Sequence, residues 1–336
     1  PFYFHMFSLL LHIGCVCLVW KLISSLLRVH GGVSEKQILY VNFITTLLFA
    51  VHPINVEAVA WISALKVLLY AFFYLLGLLC YLRYIRTSKI FYYVLTIGCF
   101  LCSFWGKEQA ITFPLALLIV DWFTNRNMKN LEVWSEKMSF LIMAFFFGII
   151  TVLSQGKGPY EMIFPLYQRL LFGCFALVEY ITKSLLPVNL NFFYPFPIVL
   201  GEEPPLHYYL YPVVLLFLMG WIIAYRNNRY LVFGVLLFLV NLLFSIHLFN
   251  MSRHAIVADR YMYLSYVGIA FLIANGIWWL RKRLSYFKAA LVFLFFYCFF
   301  LSVYTFHYTK KWENTTMVKK YTKEVLEKRL NGSNHL

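Results

Sequence analysis

Six side chains in three short polar stretches carry most of the chemistry this 336-residue sequence can offer. The first stretch, His52 to Lys66, follows an apolar run directly and holds His52 and Glu57. Imidazole and carboxylate are the groups whose pKa moves most easily to near neutrality, so this pair suits contact with a sugar hydroxyl or acid–base work. Helix capping and headgroup contact suit the same spacing. Pro53 ends the preceding helix, Ala58, Val59, Ile62 and Leu65 recur at helical spacing, and Trp61 is placed as an interface anchor.

In the second stretch, Trp105 to Pro114, almost no loop separates two apolar runs, so Lys107 and Glu108 are held at the membrane edge. There Lys107 reaches a lipid phosphate as a point charge with Glu108 holding it in place, or simply snorkels beside that neighbour. The third stretch, Asn250 to Leu264, places Asp259 and Arg260 at the start of another apolar run. A guanidinium fork at a helix N-terminus takes a phosphate bidentately, with Asp259 orienting it; a structural Asp-Arg cap is the competing reading.

The elements that position these residues follow from composition. The chain is 62% hydrophobic and 13% charged, about half the charge of a soluble domain, which excludes a soluble globular fold, a disordered chain and a secreted disulfide scaffold. All seven cysteines lie in apolar runs, where a thiol behaves as a small hydrophobe. The net charge of +15 is dispersed through short loops without a basic face, so nucleic acid is not an expected partner. Eleven apolar segments, near 4–27, 38–51, 67–82, 90–105, 110–124, 138–153, 169–187, 206–224, 230–249, 261–280 and 289–309, predict an all-α polytopic membrane bundle. Asn42, Thr45, Thr46, Asn241, Asn275 and His247 fall inside them and read as interhelical hydrogen-bonding groups; His5 and His12 read as core. No P-loop, GxSxG, HExxH, CxxC or dinucleotide fingerprint occurs, and no ligand cluster calls for a metal or cofactor.

Charge sorts the loops into two sets. One, at 28–37, 83–89, 125–137, 226–229 and 281–288, carries 14 Lys/Arg against three Glu and is the cytoplasmic side by the positive-inside rule. The other, at 52–66, 106–109, 154–205 and 250–260, has seven basic residues, Lys157 and Arg253 among them, balanced by seven acids including Glu161. Glu57, Lys107 and Arg260 thus share the outer face. Both 125–137 and 226–229 are inside, so the three segments between them cannot all cross. Segment 169–187, with Arg169, Glu179 and Lys183, is the one expected to lie on the outer surface or re-enter. About ten crossings remain, with an outer C-terminus, although the tail 310–336 has seven Lys/Arg and three Glu and pulls weakly the other way.

The segments HPINVEAVAWISALK at 52–66, GKEQAITFP at 106–114, DW at 121–122, LPVNLNFFYPFP at 186–197 and ADRYMYLSYVG at 258–268 resemble the membrane part of the transmembrane and tetratricopeptide-repeat O-mannosyltransferases and their bacterial relatives. The opening Phe2 to His12 resembles the start of the second membrane helix of that family. The resemblance implies a GT-C-like fold over 1–309 and a charged helical tail over 310–336, where a repeat domain would begin. It also implies transfer of mannose or another hexose from a polyprenyl-phosphate carrier to an acceptor, a protein Ser/Thr hydroxyl, on the periplasmic or lumenal side. The expected location is the bacterial inner membrane, or the endoplasmic reticulum membrane in a eukaryote. In that family the first outer loop carries acids expected to act as general base. The base is therefore expected upstream of residue 1, and this chain alone is expected to be inactive.

On this reading Arg260 and Lys107 neutralise the donor phosphate, Glu108 and Asp259 support them, and His52 and Glu57 line the sugar or acceptor site. The chain departs from the family at Leu65-Lys66-Val67, where relatives carry Arg-Lys followed by Asp or Asn. A polyprenyl-lipid transporter and a non-catalytic scaffold are the competing classes. The loop charges predict that, in a variant lacking the native cysteines, Arg86→Cys and Lys282→Cys stay shielded from an impermeant thiol reagent applied to the outer face. Gly158→Cys should react, and labelling at 86 or 282 would reverse the orientation.

Overall fold

The structure, a computed structural model, describes residues 2–154, 164–247 and 255–333. Lys157, Glu161, Arg253 and His254 lie outside the described residues. Each of the eleven apolar segments becomes a helix: α1 (Phe2–His30), α2 (Glu35–Val51), α4 (Leu65–Thr87), α5 (Ile90–Gly106), α6 (Phe113–Phe123), α7 (Leu131–Ser154), α8 (Leu166–Leu185), α9 (Leu210–Ala224), α10 (Arg229–Leu242), α11 (Met262–Trp279) and α12 (Leu284–Lys310). The five-residue α3 (Val56–Ala60) follows α2, and α13 (Thr315–Ser333) ends the described chain. No strand forms among the described residues; Tyr194 and Val257 make an isolated antiparallel bridge.

Local chemistry sets the boundaries. α1 stops at Gly31 and Gly32, both at positive φ, and Ser34 then caps α2 by accepting from Gln37 N–H at 3.2 Å. Asn228 caps α10 in the same way, accepting from the N–H groups of Tyr230 and Leu231. In the bundle α4 packs along α5, α10 along α11, and α1 against both α2 and α4. Gly234 and Gly268 let α10 and α11 approach so closely that a Cβ on Gly268 would stand 2.5 Å from the Gly234 carbonyl oxygen.

Among the described residues six helices are long and apolar enough to cross a membrane: Phe2–His30, Ile62–Thr87, Leu131–Thr151, Leu206–Ala224, Asp259–Lys282 and Leu284–Lys310. The bent pair Glu35–Val51 and Pro53–Ala60 makes a seventh if counted as one span. The expected ten crossings exceed this count because α5, α6 and α10 have 17, 11 and 14 residues, at about 1.5 Å each too short for a ~30 Å core unless neighbours shield their ends. α8 is not among the six. It buries Gln168, Phe172, Ala176, Tyr180 and Ser184 at four-residue spacing and leaves Leu166 and Leu170 exposed, the amphipathic pattern expected of it.

The outward surface is apolar. α9 buries none of its residues, and Phe217 on α9 and Phe293 on α12 are more than 70% exposed. Such a surface is stable only against lipid, and the chain is an integral membrane protein. Inside, Asn241 accepts from Tyr70 of α4 at 3.2 Å, and His12 bonds Tyr263 of α11 at 2.7 Å. Thr45 and Asn275, expected to bridge helices, instead bond the carbonyl four residues back in their own helix, the nearest acceptor once water is gone.

The described residues of the two loop sets meet within their own set, 30, 125 and 229 in one and 57, 183, 259 and 260 in the other. At the basic end His30 bonds the Phe123 carbonyl at 2.7 Å and Arg229 the Trp122 carbonyl at 3.1 Å. Tyr81, Asp121, Arg126, Glu136 and Lys137 form a network there. Lys137 contacts both Asp121 and Tyr81, and Arg126 grips Glu136 at 2.6 and 3.0 Å. Hydrogen bonding to Glu136 raises the Arg126 pKa. Lys137 and Asp121 are fully buried, so Lys137→Met should destabilise the protein by about 1–3 kcal/mol, leaving Asp121 with Arg126, 3.2 Å away, as its remaining cation. Adding Asp121→Asn should recover most of the loss in thermal unfolding in detergent; no recovery would mean the pair is not what holds this end.

Candidate functional site

The opposite end is built from three helix interruptions. α2 stops at Pro53; the His52 ring accepts from Ile54 N–H at 3.2 Å to cap the turn Pro53–Asn55, and the chain bends by 50° into α3. This turn carries Glu57 inward, fully buried. α5 ends at Gly106, whose Cα packs so closely on α4 that a Cβ would meet Tyr70 N at 2.7 Å. Lys107 then runs extended before a short turn, Glu108–Thr112, leads into α6. Ahead of α11, Val257 and Ala258 are held by the Tyr194 bridge and by the Tyr180 hydroxyl, which accepts from Ala258 N–H at 3.2 Å; the turn Asp259–Tyr261 follows.

These turns converge. Arg260 donates from its backbone N–H to Glu57 Oε2 at 2.7 Å and from its guanidinium to Oε1 at 2.5 Å. The Arg260 side chain keeps 21% exposure, so its outer edge reaches the surface. Lys107 lies 4.3 Å from the Tyr261 ring, and its charge acts on Glu57 together with that of Arg260. Asp259 turns elsewhere: it accepts from the Tyr194 hydroxyl at 3.0 Å and sits 3.9 Å from Lys183, which also meets Glu179 at 3.5 Å and the Tyr194 ring at 3.8 Å. Burial and the Asp259 carboxylate push the Tyr194 pKa well up, so the hydroxyl stays protonated and donates. Three carboxylates (Glu57, Glu179, Asp259) and three cations (Lys107, Lys183, Arg260) make the group neutral.

Roles read from spacing shift accordingly. Glu57, not the adjacent Asp259, orients Arg260, because the 259–261 turn points successive side chains in different directions. His52 and Glu57 are at most 1% exposed, so they support the site from beneath and do not line it. Glu108 opens the turn after Lys107 and is half-buried. Among the described residues no group of three or more His, Cys, Asp or Glu is disposed to hold a metal ion.

Comparison with known proteins gives one consistent group. Protein O-mannosyl-transferase Tmtc3 of Drosophila melanogaster is 28% identical over 152 residues, and TMTC2 and TMTC1 of Homo sapiens are 32% and 30% identical over 140 and 141 residues. This chain is similar to protein O-mannosyl-transferases. The matches cover 40%, 40% and 39% of it but only 16%, 15% and 15% of those relatives, so the chain spans a small part of their length. No family model and no solved structure matches the chain.

Beyond the motifs that resemble the O-mannosyl-transferases, the site includes Lys183 and Tyr180; Trp61 and Tyr194 join it from within those motifs. The four-residue spacing of Glu179 and Lys183 was a signal for an ion pair on α8. Nothing in the sequence placed Tyr194 beside Asp259. Glu57→Gln should destabilise the protein by about 3–5 kcal/mol, since it leaves the Arg260 cation without its partner. Tyr194→Phe should cost less, about 1–3 kcal/mol, for the bond its hydroxyl donates to Asp259 and the one it accepts from Asn191 N–H. Denaturant unfolding in detergent measures both, and the reverse order would displace Glu57–Arg260 as the organising contact.

Proposed function

We propose that this chain is the membrane part of a glycosyltransferase that moves mannose or another hexose from a polyprenyl-phosphate carrier to a Ser or Thr hydroxyl of a protein. The similarity to protein O-mannosyl-transferases supports the reaction class. The observation that carries the site assignment is Arg260: an arginine locked by a buried carboxylate on one edge and open at the surface on the other. Because the relatives are animal proteins, the proposed compartment is the endoplasmic reticulum membrane, with the mixed-charge end facing the lumen.

The donor is a phosphodiester of charge about −1 that becomes a more highly charged monoester as the sugar leaves. Arg260 offsets that developing charge at a membrane edge, where a contact is worth more than in water, and Lys107, buried beneath it at 5% exposure, adds its charge from below. Glu57 fixes the fork, so little reorganisation is needed when phosphate arrives. The acceptor hydroxyl attacks the anomeric carbon, the carbon–oxygen bond to phosphate breaks, and the hydroxyl proton passes to a general base. Glu57 and Asp259 are both committed to cations, so neither is proposed as that base.

Binding of a short polyprenyl monophosphate to the protein in nanodiscs, read by native mass spectrometry, tests the assignment without requiring turnover. Arg260→Ala should weaken binding by roughly 10- to 150-fold, the loss of one charge-assisted contact, and Lys107→Ala by less but by more than twofold, because Lys107 is buried and acts through its charge. Arg260→Lys, which keeps the charge and loses the fork, should fall between Arg260→Ala and the parent. Binding within twofold of the parent in both alanine variants would leave the cluster a structural feature and favour a scaffold.

A further inference from the structure

A groove of about 830 Å³ opens next to Arg260, between the end of α3, residues 192–193 and the start of α13. Trp61 is common to the groove and the site: its ring lies 5.3 Å from the Arg260 guanidinium and meets Phe192 edge-on at 5.1 Å and Trp312 at 6.4 Å. α13 forms the other wall, fixed by the Tyr321 hydroxyl donating to the Leu190 carbonyl at 3.1 Å and by Thr322 against Asn191 at 3.4 Å. Asn314 and Thr322 add amide and hydroxyl groups to the lining, and the charged lining is Lys319 and Lys323 against Glu313.

We propose that this groove holds the acceptor as an acidic polypeptide segment that brings its Ser or Thr hydroxyl to Trp61 and Arg260. The inference rests on the transferase reading and adds to it where the acceptor lies and what charge it carries. Two features select a peptide. Aromatic walls interspersed with hydrogen-bonding side chains suit a chain with its own amides and varied side chains. The lysine excess of the lining is complementary to carboxylates, and the Lys323 contact to Glu327, 3.8 Å between exposed side chains, is too weak to cancel it. A lipid chain has a better place nearby: an apolar groove of about 760 Å³ between α1 and α12, with Leu9, Val51 and Phe306 in its lining.

Peptide binding decides the matter and needs no sugar donor. The protein is placed in phosphatidylcholine nanodiscs, and a labelled Ser/Thr peptide flanked by Asp and Glu is compared by fluorescence anisotropy with the same peptide flanked by Lys and Arg. The acidic peptide should bind about tenfold tighter, the scale of two exposed charge contacts. Lys319→Glu with Lys323→Glu should reverse that preference while polyprenyl-phosphate binding stays within twofold of the parent. Equal binding of the two peptides, or a double variant with unchanged preference, overturns the proposal. So does phosphatidylserine seen by native mass spectrometry to bind in a manner that depends on Lys319 and Lys323, which would make the groove a lipid site. Loss of phosphate binding in Arg260→Ala tests the donor assignment separately, so either reading can fail alone.

Discussion

A carboxylate with no water around it must find cations, and in this protein Glu57 finds the backbone and side chain of Arg260, 203 residues away in sequence. That pairing ties the turn between α2 and α3 to the turn before α11. The remaining contacts at this end follow from it. With Arg260 committed to Glu57, Asp259 is left to Tyr194 and Lys183, and Lys183 draws α8 and the 187–197 loop onto the bundle. Lys107 comes from a third interruption, between α5 and α6, and adds the second cation that faces Glu57. Each interruption exposes backbone that continuous helices would have satisfied, so the ion pairs and the capping imidazole of His52 also stabilise breaks that would be unfavourable in lipid.

The basic end uses the same physics for a different purpose. Asp121 and Glu136 are matched there by Lys137 and Arg126, with Tyr81 and Tyr84 donating into the network. Its partners are drawn from the ends of α4, α6 and α7, and they line neither the groove beside Trp61 nor the one between α1 and α12. It reads as a clasp. Arg126 and Arg260 are equally exposed, at 21%, but the mixed-charge end also borders an aromatic groove. The difference between a clasp and a site is therefore the adjoining groove, not charge content or the exposure of the arginine, since both groups are electrically neutral.

Between the two ends the bundle is held by apolar packing and a few polar bridges such as Tyr70–Asn241 and His12–Tyr263. Outward faces of α9 and α12 remain apolar because lipid, not water, solvates them. α13 lies against the 187–197 loop and beside Trp61, which puts the charged tail at the same end as Arg260. Two of the tail's lysines, Lys319 and Lys323, line the groove at that end.

Helix type and the sorting of loops to two ends were legible in the sequence, because an apolar run longer than a few turns in lipid has no other way to satisfy its backbone, and because lysine and arginine distribution marks sides. Each of the eleven apolar segments is a helix, and α8 is the amphipathic one its three charges implied. The similarity to O-mannosyl-transferases was likewise readable from short motifs at 52–66, 106–114 and 258–268. What the sequence could not decide was which charge meets which. Asp259 and Glu57 are both carboxylates within reach of Arg260 on any topology that gathers the outer loops, and adjacency in the chain favoured Asp259. The direction of a side chain leaving a short turn depends on the dihedral angles that tertiary packing imposes there. The bend after His52 buried Glu57 against Arg260, and Tyr194, arriving from a loop with no regular pattern, took Asp259.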